Sequence, residues 1–561
     1  MIEQISLKFG AAPHSVKLSI PVTPVTVFVG PNNAGKSRLL TELENWCRQL
    51  HGRTDDVLID SVSFTPWPAD EIQKEILAIQ RTPNPNEAVQ VNCVIIGKLN
   101  TTNNQMKRIQ VHLDRLITEA QNPGFNSTSY TSFLNLHTVR LDGNNRLNLL
   151  NDQAAGNLKE PAANHLVHLF GDDQLRREVR RIMHEAFGKY FVIDPTGMLN
   201  LSVRLSNREP VNNQEERGWD ESAVEFHRAA MPIAQASDGV RAFGGIVATL
   251  VAGDPKVTLI DEPEAFLHPG LANKLGNEMA KLLDGTKDRL FVATHSASFL
   301  MGCIQAGVPL NIVRLTYNYA SPTARILPRE KLIPLMRHPL LRSAGVLAGL
   351  FYEAVVVTES DADRAFYQEI NERLLAENDS RGIANCHFIN AQNKQTVWEI
   401  VKPLRELGIP AVGIVDIDVL KEGGAVWNKP LEGAFFPELS YTALRDQRQA
   451  ILNALVATGR NIKRDGGIKL LTGTQYDAAD KFLKDLAEYG VFVVQNGELE
   501  SWLKPLGATG KAPGWLIGIF ETMGDDPTNP GYVRPAVGDV WSFIGNLKNW
   551  IGNPDRKGMP V

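Results

Sequence analysis

Paired cysteines are missing. Cys47, Cys93, Cys303 and Cys386 are the four cysteines of a 561-residue chain, and no C-x-x-C occurs among them. That spacing suggests neither a zinc knuckle nor a disulfide framework, and it fits a reducing cytosol. Long hydrophobic runs are missing too. No window of about 18 apolar residues occurs, so no membrane span is expected and the cytoplasm is the expected location. Positive charge is not in excess: 58 Lys and Arg stand against 63 Asp and Glu, a net charge of −5. Any nucleic-acid surface must then be a local basic patch. The opening MIEQISLKFG carries an acid and alternates like a strand, unlike a signal peptide. Internal repeats and low-complexity tracts are also absent.

What is present is ordinary globular composition, 43% hydrophobic and 22% charged. It supports a large core divided among about two to four domains. VTVFVG (25–30) reads as a buried strand, and KSRLLTELENWCRQL as an amphipathic helix. From 230 to 315, helices alternate with the strands KVTLIDE and RLFVATHS. The proline-bearing stretch 319–339 reads as a connection. Beyond 350, AVVVTES, HFINA, PAVGIVDID and YGVFVVQN alternate with helical stretches, which predicts an α/β unit with a parallel sheet. The chain is expected to be α/β throughout, with one domain over 1–345 and a second over 346–561. The polar, irregular stretch of about 60–220 is expected to be a mainly helical insertion or arm in the first.

GPNNAGKS, Gly30 to Ser37, matches G-x-x-x-x-G-K-[ST] between a predicted strand and a predicted helix. Gly30, Asn33 and Gly35 let the backbone curl so that its N–H groups face phosphate. Lys36 can reach the β- and γ-phosphates, and Ser37 can ligate Mg²⁺. KVTLIDEPEAFLHP is an apolar strand ending in Asp261 and Glu262, an acid to hold Mg²⁺ and an acid to polarise water. Glu264 reads as a surface acid and His268 as a turn residue. FVATHSASF ends in His295, suited to sense a γ-phosphate. QASDGVRAFGG puts Ser237, Asp238 and Gly239 at a helix start, an anion-binding arrangement.

In this order the motifs resemble the ABC-type ATPase heads of the SMC, Rad50 and RecF group. The resemblance implies ATP as cofactor, with Lys36 and Ser37 on phosphate and Mg²⁺. It implies Asp261 as metal support, Glu262 as hydrolytic base and His295 at the γ-phosphate. It also implies that Ser237 and Gly239 close over ATP on another subunit, so the heads would pair as a homodimer or higher homo-oligomer. The group usually has two small residues after the serine. Here Asp238 intervenes, which would slow closure. The stripe Arg176, Arg177, Arg180 and Arg181 reads first as a solvated face paired with Asp172, Asp173 and Glu178, and second as a phosphate contact.

AVVVTESDADRAFY (354–367) sets Glu359, Asp361 and Asp363 where a predicted strand meets a predicted helix. Such acids cap helices, which needs no function. Two more predicted strands also end in acids, PAVGIVDID in Asp416 and Asp418, and YGVFVVQNGELE near Glu498 and Glu500. The carboxyl edge of an open α/β sheet is where sites are built. Clustered carboxylates repel, and a hard divalent cation such as Mg²⁺ or Mn²⁺ relieves them. Two such ions serve phosphodiester cleavage.

A glutamate followed far downstream by Asp-x-Asp resembles the Toprim pattern, and TESDADR resembles its E-G-x-x-D element with Ser360 in place of Gly. An ABC-type head followed by a Toprim domain is the layout of the OLD (overcoming lysogenisation defect) family nucleases. The resemblance implies Glu359, Asp363, Asp416 and Asp418 as metal ligands, joined by Glu498 or Glu500. It also implies a lysine that steadies the transition state, with Lys511 the candidate and Lys504 a competitor. The expected function is an ATP-binding and ATP-hydrolysing, metal-dependent endonuclease. It would nick or cleave DNA with two metals, gated by the ATPase, in phage defence. A partner protein encoded elsewhere would fit that role. Two alternatives stay open: an RNA-cutting Toprim enzyme released by a trigger, and an ATP-dependent sensor or scaffold without cleavage.

Overall fold

Val25–Val29 is apolar at four of five positions and buried at all five, as a strand covered on both faces must be. It lies in the first of two compact units, Met1–Arg329 and Glu330–Val561. The second unit thus begins earlier than residue 346. This computed structural model describes all residues except 13–14, 101–104, 125, 144, 158, 254, 318–321, 344, 512 and 561.

In the first unit, β1 (Ile2–Leu7) pairs antiparallel with β2 (Ser19–Pro21) and with β4 (Ile59–Phe64). The strand Val25–Val29 is β3. Two more strands, β5 (Cys93–Asn100) and β6 (Gln105–His112), form a hairpin. A small antiparallel sheet contains β8 (Gln153–Ala154), β9 (Tyr190–Asp194), β10 (Asn200–Ser206) and β11 (Met231–Pro232). The central sheet unites β3 with β7 (Thr138–Leu141), β12 (Val257–Asp261), β13 (Arg289–Ala293), β14 (Leu310–Tyr317) and β15 (Pro322–Ile326). Its order is β15-β14-β3-β13-β12-β7, parallel except for the β14–β15 hairpin.

The stretch 60–220 is therefore not one helical arm. Strand β4 lies in the N-terminal sheet, and β7 forms an edge of the central sheet. The four residues TVRL of β7 carry too little apolar pattern to announce a core strand; their register with Val257–Ile260 defines them. Three of the four arginines on the helix Asp173–Phe187 are ion-paired, and two of them are buried. Arg176 and Arg180 are buried on Glu216, Arg181 meets Glu178, Glu185 and Glu278, and Arg177 is exposed.

The second unit has one four-stranded sheet, all parallel: β16 (Ala354–Thr358), β17 (Cys386–Asn390), β18 (Ala411–Asp416) and β19 (Val491–Val494), in the order β17-β16-β18-β19. The helix Asp361–Ala376 and the helix Asp539–Gly552 supply much of its core, with Tyr367, Trp502, Trp515 and Trp541 fully buried. Trp502 Nε1 donates to the Tyr367 hydroxyl at 2.9 Å, so neither polar tip is stranded. Among the described residues, no helix is long and apolar enough to cross a membrane.

Candidate functional site

Two sites form, each at the carboxyl edge of a parallel sheet. In the first unit, the turn from β3 to the helix Lys36–Gln49 takes positive φ at Gly30 (142°), Asn33 (62°) and Gly35 (90°). A Cβ on Gly30 would lie 2.0 Å from the Leu315 carbonyl oxygen, so only glycine fits. Lys36 is buried, and its Nζ donates to the Gly30 and Pro31 carbonyls at 2.8 and 2.7 Å. Burial lowers its pKa to about 8, against the pull of Asp261, Glu262 and Glu264. Ser37 follows it in the first turn of the helix.

Asp261 closes β12 opposite Ala293 of β13, and Glu262 N donates to the Ala293 carbonyl at 2.8 Å. Glu262 sits at φ 51°, a left-handed conformation uncommon for a side chain of this kind. His295 Nε2 lies 3.8 Å from Glu262 Oε1. Burial, then Lys36, lowers the imidazole pKa, which favours the neutral ring at pH 7. Ser237 is exposed at the N-cap of the helix Asp238–Val251, and its side chain makes no capping bond. Gly239 sits so close to the loop after Glu262 that a Cβ would lie 2.7 Å from the Phe266 carbonyl.

Two residues here escaped the sequence reading. Glu264 is no surface acid. Its Oε1 accepts from Thr294 Oγ1 (2.7 Å) and from His295 N (3.0 Å), which fixes the turn that presents His295. Its Oε2 is buried with no hydrogen-bond partner among the described residues. Arg146 is 2% exposed. Its Nη1 donates to the Asp261 and Glu262 carbonyls, so it holds the backbone that carries both acids. An isolated arginine 115 residues upstream leaves no sequence signal of that contact. His268 caps the helix Pro269–Leu282, as a turn residue should.

In the second unit, carboxylate oxygens of Glu359, Asp416 and Asp418 all lie within 4.8 Å of one another. Glu359 follows β16, Asp416 ends β18, and Asp418 lies in the 3₁₀ turn Ile417–Lys421 beyond it. Glu359 Oε1 accepts from Asp416 N at 2.8 Å. Burial, and then Asp416, holds the Glu359 carboxyl well above the ordinary range; burial likewise raises Asp416, against Lys463. Asp418 Oδ1 is buried with no hydrogen-bond partner among the described residues. Crowded hard oxygens with one orphaned lone-pair site fit a divalent cation.

Asp363 stands outside that trio. It forms a capping box with Ser360, accepting from Ser360 N (2.9 Å) and Oγ (2.7 Å). Of the acids that the sequence set at this helix start, Asp363 joins the cap, while Asp361 pairs with Arg364 at 2.7 Å. Burial raises the Asp363 pKa, its hydrogen bonds with Ser360 pull it back, and the charge of Glu500 adds a smaller rise.

Lysines complete the cluster. Lys463 Nζ lies 2.7 Å from Asp416, 3.6 Å from Asp418 and 3.9 Å from Glu498. Lys394 Nζ lies 3.3 Å from Asp418 and 2.6 Å from Glu422. Neither lysine stood out in the sequence. Lys463 sits in the turn NIKRDGG, whose glycines are the one local clue. A Cβ on Gly467 would lie 2.0 Å from the Gln495 carbonyl, and one on Gly497 1.9 Å from the Lys463 carbonyl. This contact clamps the Lys463 turn to the end of β19. A cavity of about 430 Å³ opens beside it, lined by Lys463, Glu498, Glu500 and Lys511 among others. Lys511 is exposed there; Lys504 is exposed and does not line the cavity.

Family comparison agrees with this division. Residues 128–301 match the AAA_21 family, described as "AAA domain, putative AbiEii toxin, Type IV TA system". Residues 350–418 match the OLD-like TOPRIM family, described as "Overcoming lysogenization defect protein-like, TOPRIM domain". The first match includes Ser237, Asp261, Glu262 and His295, and the second includes Glu359, Asp363, Asp416 and Asp418. The chain is similar to the "Old nuclease" of Escherichia phage P2, 24% identical over 259 residues, which is 43% of this chain and 42% of that protein. It is also similar to the "Probable siderophore transport system ATP-binding protein YusV" of Bacillus subtilis (strain 168). That match is 32% identical over 95 residues, 17% of this chain and 34% of that protein. The chain thus spans less than half the length of these curated relatives. Among solved structures, an SMC head bound to the C-terminal winged-helix domain of ScpA covers 59% of this chain and 99% of its own. Its identity is 13% and its TM-score 0.33, too loose a superposition to transfer any residue. An ATPase domain followed by an OLD-like Toprim domain is the architecture of the OLD family, and this chain has that architecture.

Proposed function

We propose that the chain is an ATP-binding and ATP-hydrolysing endonuclease that uses divalent metal to nick or cleave DNA. The observation that carries the reading is the convergence of Glu359, Asp416 and Asp418 from two neighbouring strand ends. Glu359, Asp416 and Asp418 would hold one ion, and Asp363 with Glu498 and Glu500 a second. A divalent ion bound there supplies charge neutralisation and acidity for phosphodiester hydrolysis. Glu359 and Asp416 orient each other through the Asp416 N–H. Lys463 offsets the charge of Asp416 and Asp418 from one side, and Lys511, which lines the same cavity as Glu498 and Glu500, would steady the scissile phosphate. In the other unit, Lys36 and the N–H groups of the Gly30–Gly35 turn would bind the nucleotide phosphates, with Ser37 and Asp261 supporting Mg²⁺. Glu262 would orient water, with Arg146 and Glu264 keeping Glu262 and His295 in place. The exposed Ser237, with Gly239, would reach a second copy, so ATP would join two heads and gate cleavage.

The test compares supercoiled plasmid and total tRNA as substrates, in Mg²⁺ or Mn²⁺, with and without ATP. Wild type should convert plasmid to open-circular or linear forms, and Glu359→Gln should not. Cleavage of tRNA alone would move the reading to an RNase. Cleavage of neither substrate, or full activity in Glu359→Gln, would overturn it. Lys36→Ala should lose ATP binding, and the direction of its effect on nicking shows whether ATP activates or restrains. A role in phage defence, with a partner encoded elsewhere, would follow from the OLD-like architecture; plaque counts on cells expressing wild type and Glu359→Gln test it.

A further inference from the structure

A second cavity in the first unit, about 420 Å³, lies away from the phosphate loop. Its walls come from the Lys36 helix, the β5–β6 hairpin, strand β7 and the helix Asp238–Val251. Glu44 and Arg48 of its lining stand 8 and 12 residues beyond Lys36 on one helix, about 12 and 18 Å at 1.5 Å per residue. The cavity is therefore not the nucleotide cradle. Arg48, Lys98, Lys107 and Arg140 line it, against the carboxylates of Glu44 and Asp142, an excess of two positive charges (four minus two).

The acids present are already engaged. Glu44 lies 2.6 Å from Arg48 and 3.7 Å from Arg140, and Asp142 accepts from Asn145 N at 3.0 Å. Partial desolvation of its ammonium, and then the neighbouring Arg48, push Lys107 toward its neutral form, so like charges crowd at this wall. Lys98 is 7% exposed, and its Nζ lies 2.7 Å from His137 Nδ1. Thr249 is 2% exposed, and its hydroxyl has no hydrogen-bond partner among the described residues; neither has the buried Arg140 Nε. Stranded buried donors and surplus cations around one cavity are both relieved by an anion with several acceptor oxygens.

We propose that this cavity binds a small phosphorylated molecule carrying at least two negative charges, nucleotide-sized or smaller. The volume suits such a ligand. Lys98 and Thr249 lie too deep for a polymer passing over the surface, which favours a free phosphorylated compound over a nucleic-acid backbone.

The experiment uses the full chain with Lys36→Ala, which removes the phosphate-loop lysine. Inorganic pyrophosphate, ADP and a single-stranded oligonucleotide are titrated separately by calorimetry at constant ionic strength. Pyrophosphate or ADP should bind at one saturable site. Lys107→Gln should weaken that binding at least tenfold, and Thr249→Val, which keeps the side-chain shape, several-fold. Lys107 is exposed, so its variant keeps the fold intact even if a buried substitution does not. No saturable binding by either small anion, binding unchanged in Lys107→Gln, or binding of the oligonucleotide alone would each overturn the proposal.

Discussion

Glu359→Gln should have opposite effects on the metal-free and the metal-bound protein. The amide is isosteric and keeps an oxygen to accept from Asp416 N, so the change removes charge and little else. Oxygens of Glu359, Asp416 and Asp418 lie within 4.8 Å of each other. Two full charges at that distance repel by about 3.5 kcal/mol at an effective dielectric of about 20. The folded chain avoids most of this by keeping Glu359 protonated above its ordinary range. A carboxyl held protonated costs about 1.4 kcal/mol for each pH unit above its unfolded value near 4.3, or at most about 3.7 kcal/mol at pH 7. Coupling to Asp416 and neutralisation by Lys463 reduce this to about 2 kcal/mol.

The sign follows from the raised folded pKa. Stability from the protonated carboxyl is fully present below the unfolded value and is lost as pH rises toward the folded one. Metal-free Glu359→Gln should therefore match wild type near pH 5 and unfold about 5 °C higher at pH 7 to 8. Added Mg²⁺ or Mn²⁺ should raise the wild-type midpoint, as any ligand of the native state does, and raise the variant's much less. Differential scanning calorimetry across pH, with EDTA and with metal, reads both effects. A variant that is less stable than wild type at pH 8 in EDTA, or that keeps the full metal shift, refutes the carboxylate cluster as the metal site.

Lys463→Gln should act in the other direction. Loss of the cation 2.7 Å from Asp416 should lower metal-free stability by about 1–3 kcal/mol, read as a lower urea midpoint, whereas Lys511→Gln should leave that midpoint unchanged. Ser360→Ala removes half of the capping box and should cost about 1 kcal/mol by the same assay; nicking should fall as well if Asp363 needs that cap for its orientation. Gly30→Ala, at φ 142° and with a Cβ 2.0 Å from the Leu315 carbonyl, should yield little folded protein, measured as soluble yield and far-UV circular dichroism.

The sequence by itself determined the elements that depend on local pattern. The four apolar runs beyond residue 350 are the four strands of the second sheet; β16, β18 and β19 are apolar almost throughout because parallel strands covered on both faces must be, while the edge strand β17 is only partly buried. Acids just beyond such runs must gather at one edge once the strands run parallel, so Glu359, Asp416 and Asp418 were legible before any coordinates. The phosphate-loop turn was legible for the same reason: its glycines and lysine are contiguous. Tertiary structure alone decided contacts between residues far apart in the chain. It put Asp363 rather than Asp361 into the capping box with Ser360, drew Lys463 and Lys394 into the carboxylates, set Arg146 on the backbone of Asp261 and Glu262, and placed β7 at the edge of the central sheet. A lone lysine or arginine has no periodicity, and its partner is chosen by the packing of whole elements. Charge balance at a site is therefore a property of the fold, while the backbone that carries the site is a property of the pattern.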